Sequence, residues 1–297
     1  IEPVARETGD HHLAMTTLYL LSSGQRSVGS HRKALAVARQ IEEFSTMHND
    51  RRARAYAAWA HAMIYCVQGN PEKAHQIILP SRADVIPGGA DDRVSTAIML
   101  FGETFLLPPD EVRPKLLHLI AEARSRVEFN LVHTMDWVRV VLELRAGHLA
   151  LAWRLLNTLV DEVKRTNYMP VLRQCYLTRA EICLSLIGLI DPASEAPPER
   201  PKPTPKRPGP ADLATYAMLR FRARGRAARD LKQAISLSRS TSDPHVARCK
   251  AGLGLIAASR GQNTEARDYL EDALRAAEQE GFEIVASRAR AGLASLT

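Results

Sequence analysis

The chain has 297 residues, of which 45% are hydrophobic and 25% charged, a composition typical of folded globular proteins. Aromatic residues account for only 5%, while Ala, Leu and Arg recur throughout, which disfavours a β-sandwich or barrel and favours packed helices. The net charge of +7 is concentrated between Glu199 and Lys232, where ten cations stand against three anions. Because phosphate tracking needs a broad cationic face, direct binding of nucleic acid is not expected.

No apolar run reaches the roughly 18 residues of a membrane span, and the first ten residues are acidic where a secretory leader would be basic. No membrane partner is therefore expected. The four cysteines, Cys66, Cys175, Cys183 and Cys249, lack the paired spacing of a zinc site and lie among apolar neighbours. They are predicted to be buried free thiols in a reducing cytoplasm, and no metal or cofactor is predicted.

The apolar periodicity predicts thirteen helices separated by turn residues. In chain order they span residues 10–23, 28–46, 50–68, 71–79, 91–107, 110–128, 130–146, 149–166, 169–189, 211–240, 244–260, 264–280 and 282–296. Between the ninth and tenth helices, residues 191–210 are rich in proline and basic residues. Proline neither continues a helix nor donates an amide hydrogen bond, so this segment is predicted to be a solvated loop or insertion.

Short motifs repeat along the chain with a period near 40 residues. In the clearest copy, small residues stand where two helices approach closely around a turn glycine: Leu253-Gly254-x6-Gly261-x4-Ala266-x3-Leu270-x2-Ala273-Leu274. The triplet that begins at Ala251 returns 40 residues later at Ala291, and the turn at Pro108 lies 39 residues from both Gly69 and Gly147. Since one hairpin cannot bury its apolar face alone, consecutive hairpins are expected to stack into one core.

This pattern resembles the tetratricopeptide (TPR) repeat, in a slightly long bacterial form, over most of the chain. The resemblance implies an all-α, right-handed α-solenoid of about seven helical hairpins in a single superhelical domain, residues 1–297. The repeat style, as in Ala258–Arg267, is similar to the C-terminal repeats of bacterial ATPase/LuxR-type regulators and class III nucleotidyl cyclases, which implies cytoplasmic signal transduction. Because the chain begins with Ile1 and ends on an apolar helix, we expect it to be part of a longer polypeptide.

In a TPR solenoid the first helix of each hairpin lines a concave groove. Aligning the hairpins on their turn glycines, with arginines that lie near, gives these candidate groove residues: Tyr56, Trp59, Met63, Ile98, Trp137, Val141, Arg145, Arg179 and Arg248. Trp59 and Trp137 fall at equivalent positions, and such a groove would suit a partly apolar, anionic segment or an amphipathic helix. A shift of one residue would instead make each tryptophan part of the core between helices, so both interpretations stay open.

No nucleotide, hydrolase or metalloprotease motif occurs, so the chain is predicted to be a non-enzymatic interaction or regulatory module. Its expected partner is a peptide, a helix or a neighbouring domain, including a fused catalytic or DNA-binding domain. One alternative is an inducer-sensing arm of an ATP-dependent transcriptional regulator, which would need a closed pocket at the tryptophans. Another is an oligomeric scaffold joined through the final helix at Leu293. The arginines from Arg220 to Arg229 either bind an anionic partner or only make a solvent-exposed helix more soluble.

Overall fold

The computed structural model describes residues 10–27, 30–68, 70–191, 209–238 and 244–296, and these form helices joined by short turns, with no strand among them. One 3-10 turn, Arg82–Asp84, accompanies thirteen α-helices in these ranges. The helices are α1 (His11–Ser27), α2 (His31–Met47), α3 (Arg51–Val67), α4 (Pro71–Ser81), α5 (Ala90–Leu106), α6 (Pro109–Ser125), α7 (Phe129–Arg145), α8 (Leu149–Thr166), α9 (Met169–Leu186), α10 (Pro210–Ser236), α11 (Pro244–Ala258), α12 (Asn263–Glu280) and α13 (Glu283–Ala294). The predicted all-α class is confirmed. Residues 192–208 of the predicted proline-rich insertion lie outside the described residues.

The chain divides into two compact units, Ile1–Leu106 and Leu107–Thr297. In the first unit each of α1 to α5 packs on the next, and α1, α3 and α5 also contact one another in turn. In the second unit α7, α9, α11 and α13 form the same kind of row, while α8 contacts α10. This alternation is the packing of stacked hairpins, in which first helices adjoin first helices and second helices adjoin second helices. The single superhelical domain stays a prediction.

The spacing of the turns between helices gives the repeat period. Residues with left-handed backbone end successive helices at nearly constant spacing. Val127, Gly147, Asn167 and Gly188 follow one another at intervals of 20, 20 and 21 residues, and Gly281 follows Gly261 by 20 residues. The residue after each of them bonds back five residues, as His148 N does to Glu143 O at 2.9 Å, which closes the helix end in a Schellman motif. One helix and turn therefore takes about 20 residues, and the predicted period near 40 for a hairpin is confirmed.

Val127 stands at a turn position that suits glycine or asparagine. Its φ is +61° and its side chain is 63% exposed, so strain is present without burial to compensate. The left-handed region costs an L-residue roughly 1–2 kcal/mol and costs asparagine less. We expect Val127→Asn to raise the free energy of unfolding in urea by about 1 kcal/mol, and the reverse change at the matching turn, Asn167→Val, to lower it by about as much. A loss of stability in Val127→Asn would contradict this reading.

Small residues bring α11 close to its neighbours in the second unit. A Cβ added at Gly254 would lie 2.6 Å from Leu270 Cγ, and one added at Gly252 would lie 2.9 Å from Leu231 Cδ1. Ala266, at the facing position on α12, is fully buried. The close approach predicted at Gly254 and Ala266 is therefore present, and it allows leucines to fill the space between the helices.

The four cysteines are free and buried, as predicted. Burial raises the pKa of the Cys66 and Cys175 thiols to about 12, so neither is a thiolate near neutral pH.

Among the described residues no three His, Cys, Asp or Glu side chains are placed to hold a metal ion. None of the described helices combines the length and the apolar character that crossing a membrane requires.

The apolar stripe of α13 packs largely within its own unit. Val285 and Ala289 are buried, Leu293 is half-buried, and the helix contacts both α11 and α12. The structure thus uses most of this stripe as core, and oligomerisation through α13 stays a prediction.

Candidate functional site

The two tryptophans at equivalent positions make equivalent contacts. In the first unit the indole N–H of Trp59 on α3 donates to Ser95 Oγ on α5, at 2.8 Å. In the second unit the indole N–H of Trp137 on α7 donates to Thr178 Oγ1 on α9, at 3.0 Å. Each bond joins one first helix to the next, so both tryptophans stabilise the stacking of hairpins through a satisfied polar group.

In the first unit the candidate groove residues are mostly core. Trp59 is 2% exposed, Ile98 7% and Tyr56 8%, whereas Met63 is half-buried. The Tyr56 ring stacks on Trp59 with 4.6 Å between ring centroids, and the Tyr19 ring from α1 lies 4.9 Å from Tyr56. The core interpretation therefore describes Trp59, because its side chain offers almost no surface to a ligand.

The hydrogen bond between Trp59 and Ser95 is expected to contribute to the stability of the first unit. Ser95 is fully buried, so Ser95→Ala leaves the buried indole N–H without an acceptor. We expect the free energy of unfolding in urea to fall by about 1–2 kcal/mol. In a Trp59→Phe background, which has no indole N–H, the same serine substitution is expected to cost less than about 0.5 kcal/mol. Equal costs in the two backgrounds would show that the hydrogen bond contributes nothing.

The second unit presents a row of hydrogen-bonding side chains on its first helices, here called the first-helix face. Its members come from α7, α9, α11 and α13: Trp137, Gln174, Thr178, Glu181, His245, Arg248 and Arg288. On α9 the three polar residues follow at steps of four and three, so they share one side of the helix. The hydrogen bonds between these residues join different helices, which holds the side chains in defined positions.

Glu181 is the centre of the charged part of this face. Its Oε2 accepts from Arg248 Nη2 at 2.6 Å, and its Oε1 accepts from Arg288 Nη1 at 3.3 Å. The Arg288 side chain is 5% exposed, whereas that of Arg248 is 38% exposed. Arg248 is therefore a cation that an incoming anionic or carbonyl group can reach at this face.

Two further candidates lie on α7 beyond Trp137. Val141 and Arg145 follow it at steps of four, so they continue the same side of the helix, and both are half-buried. Arg145 Nη1 donates to the Leu107 carbonyl oxygen at 3.2 Å. This bond holds Arg145 against the first residues of the second unit.

Arg179 does not join the first-helix face, where the sequence pattern placed it. It is the next residue after Thr178, and one residue turns about 100° around a helix. Its guanidinium consequently enters the space between α8 and α10, where Nε and Nη2 donate to Asp230 at 2.8 and 2.6 Å. Nη1 lies 3.3 Å from Asn157 Oδ1. Arg179 and Arg248 therefore serve different surfaces.

Several residues of the first-helix face are not among the candidates predicted from the sequence, although the repeat period points to two of them. Arg288 follows Arg248 by 40 residues, one full period. Thr178 follows Trp137 by 41 residues, the step between the turns at Gly147 and Gly188. Gln174 and Glu181 show no such signal, because glutamine and glutamate are ordinary residues of any exposed helix and only their neighbours distinguish them.

Among the described residues, surface recesses occur in the second unit, and two of them are well defined by their lining side chains. One is lined by side chains of α8, α9 and α10, and the other by α10 alone. Neither includes Trp59 or Trp137. They therefore do not supply the closed pocket at the tryptophans that the inducer-sensing alternative requires.

Comparison with known proteins supports the fold. No protein-family model matches the chain, and no curated protein matches it by sequence. Among solved structures the chain is similar to the crystal structure of NprR in complex with its cognate peptide NprX, with a TM-score of 0.57 and 12% sequence identity. The match covers 96% of this chain and 71% of that one. At this identity the likeness shows the fold alone, and the predicted class, a TPR-like helical-repeat solenoid, is confirmed.

Proposed function

We propose that this chain is a non-catalytic, TPR-like regulatory module whose first-helix face in the second unit binds a peptide or an extended segment of a partner protein. The observation that carries the proposal is the line of oriented polar side chains across four consecutive first helices, from Trp137 on α7 through Glu181 on α9 and Arg248 on α11 to Arg288 on α13. Bacterial cytoplasmic signalling, through a fused or separate partner domain, is the setting that the repeat style favours.

The dimensions of this face suit an extended peptide. Packed helices lie about 8–10 Å apart, so four consecutive first helices extend over about 24–30 Å. A strand-like chain rises about 3.3 Å per residue, so about seven to nine residues would cross the face. Gln174, Thr178 and Glu181 offer both donors and acceptors to a peptide backbone, and Arg248 offers a charge to a carboxylate.

The fold comparison supports the same class of ligand. NprR, whose helical fold resembles this one, was solved in complex with its cognate peptide NprX. The likeness concerns the fold, so this support is for peptide binding in general and for no particular sequence. The inducer-sensing arm and the oligomeric scaffold stay alternative predictions.

A selection from displayed random nonapeptides tests the proposal. Enriched peptides, synthesised and labelled, are expected to bind the chain with a Kd near or below about 10 μM by fluorescence anisotropy. Arg248→Ala is expected to weaken binding at least about tenfold, because it removes the accessible cation of the face. The matched control is Arg267→Ala, which removes an exposed arginine from the second helix α12 and should leave the Kd unchanged.

Two outcomes would overturn the proposal. One is that no peptide is enriched over the library background. The other is that enriched peptides bind the wild type and Arg248→Ala equally well, which would place their site elsewhere. Thermal unfolding of each variant without peptide shows whether a loss of binding reflects a loss of folding, and Arg248→Lys provides a second variant that keeps the charge beside Glu181.

A further inference from the structure

The recess between α8, α9 and α10 has an unusual concentration of positive charge. Its volume is about 190 Å³, and its lining residues are Lys164, Arg179, Arg226, Arg229, Asp230 and Gln233. Four of these six side chains are cationic and one is anionic. Like charges repel one another, so such a group is costly unless an anion compensates it.

The carboxylate in the recess is already neutralised. Asp230 is 3% exposed and accepts two hydrogen bonds from Arg179 in a bidentate pair. In the part of the chain that the structure describes, Lys164, Arg226 and Arg229 form no ion pair with another residue. Three positive charges therefore remain at the recess.

Aromatic rings hold two of these cations without neutralising them. The Arg226 guanidinium lies 4.9 Å from the centroid of the Trp153 ring, and the Lys164 ammonium lies 5.9 Å from that of Tyr176. Both rings are largely buried, at 7% and 5% exposed, so they are fixed parts of the core. Such cation–π contacts orient the charged groups while leaving their N–H donors available.

We propose that this recess binds the phosphoryl group of a phosphate monoester. A compact dianion matches several cations around one recess, and the planar fork of arginine fits phosphate oxygens bidentately. The volume is below the roughly 300–1,000 Å³ of sites that enclose drug-sized ligands, so the recess takes the phosphoryl group and leaves the remainder of the ligand in solvent. This site lies on a different side of α9 from the first-helix face, since Arg179 and Thr178 are about 100° apart around the helix, and it does not depend on peptide binding.

Calorimetric titration in phosphate-free buffer at about pH 7.5, where phosphomonoesters are largely dianionic, tests the proposal. Inorganic phosphate and N-acetyl-phosphoserine amide are expected to bind with similar affinity, at one site and below about 1 mM. Dimethyl phosphate, which carries a single charge, is expected to bind at least tenfold more weakly. Arg226→Gln/Arg229→Gln is expected to weaken phosphate binding at least tenfold, and Arg226→Lys by less, because it keeps the charge and loses the fork.

The matched control is Arg220→Gln/Arg224→Gln, which removes the same charge from the same helix outside the recess and should bind phosphate as the wild type does. Equal weakening in the two double variants would show general electrostatic attraction and overturn the proposal. Absence of phosphate binding at about 10 mM phosphate, or equal affinity for phosphate and dimethyl phosphate, would also overturn it. Peptide selection on Arg226→Gln/Arg229→Gln should still succeed, so failure of this site and failure of the peptide site are distinguishable.

Discussion

Replacing Asp230 by alanine is expected to lower the free energy of unfolding by about 3–5 kcal/mol, the cost of leaving a buried charge without its partner. The Arg179 side chain is 12% exposed and that of Asp230 is 4% exposed, so the guanidinium has little contact with water, and hydration does not fully replace the lost carboxylate. Burial alone would lower the pKa of Arg179, but the hydrogen bonds and negative charge of Asp230 outweigh it and raise that pKa. Without Asp230 only the intrinsic basicity of the guanidinium keeps Arg179 charged, as arginine always is in proteins, and the desolvation of this charge is no longer compensated.

Urea unfolding followed by circular dichroism measures this effect. The matched control is Asp268→Ala, which removes an exposed carboxylate from α12 and is expected to change stability by less than about 0.5 kcal/mol. Replacing both partners, in Arg179→Met/Asp230→Leu, is expected to recover most of the loss, since an apolar pair of similar volume avoids the buried charge. A cost below about 1 kcal/mol for Asp230→Ala would mean that water reaches the pair and that Asp230 is not buried as described.

Gly254→Val is expected to lower the free energy of unfolding by about 3 kcal/mol, at the upper end of the usual cost of overpacking a core. A Cβ at Gly254 would meet Leu270 Cγ at 2.6 Å and the Ala266 carbonyl oxygen at 3.2 Å. Neither atom is the free end of a flexible chain, so α11 and α12 must move apart. Leu270 is fully buried, and separation of the helices would loosen its packing as well.

The matched control is Gly225→Val, at a glycine on α10 where an added Cβ would meet nothing within 4 Å. This substitution is expected to be neutral or to raise stability by up to about 0.5 kcal/mol, because glycine is unfavourable inside a helix. Leu270→Ala makes room beside Gly254, so the valine should cost less in that background than in the wild type. If Gly225→Val destabilises as much as Gly254→Val, the effect belongs to valine in a helix and not to the contact between α11 and α12.

In the candidate site, the sequence predicts which helices contribute residues but not the direction in which each side chain points. The period located the first helices and put Trp59 and Trp137 at equivalent positions, which their equivalent hydrogen bonds to Ser95 and Thr178 reflect. Helical periodicity did not show which way each side chain points, because neighbouring residues differ by about 100° around the axis. Arg179 is a candidate groove residue from the sequence, but in the structure it enters the space between α8 and α10.

The sequence by itself determined the all-α class, the helical hairpins, the period near 40 and the close approach at Gly254, because these depend on residues within one or two helices of each other. Only the tertiary structure decided which of these residues meet distant partners. Asp230 is 51 residues from Arg179, and Arg288 is 107 residues from Glu181. Such pairs form because packing places a given turn of one helix beside a given turn of its neighbour. That alignment depends on how whole hairpins stack, so it cannot be predicted from a local sequence pattern.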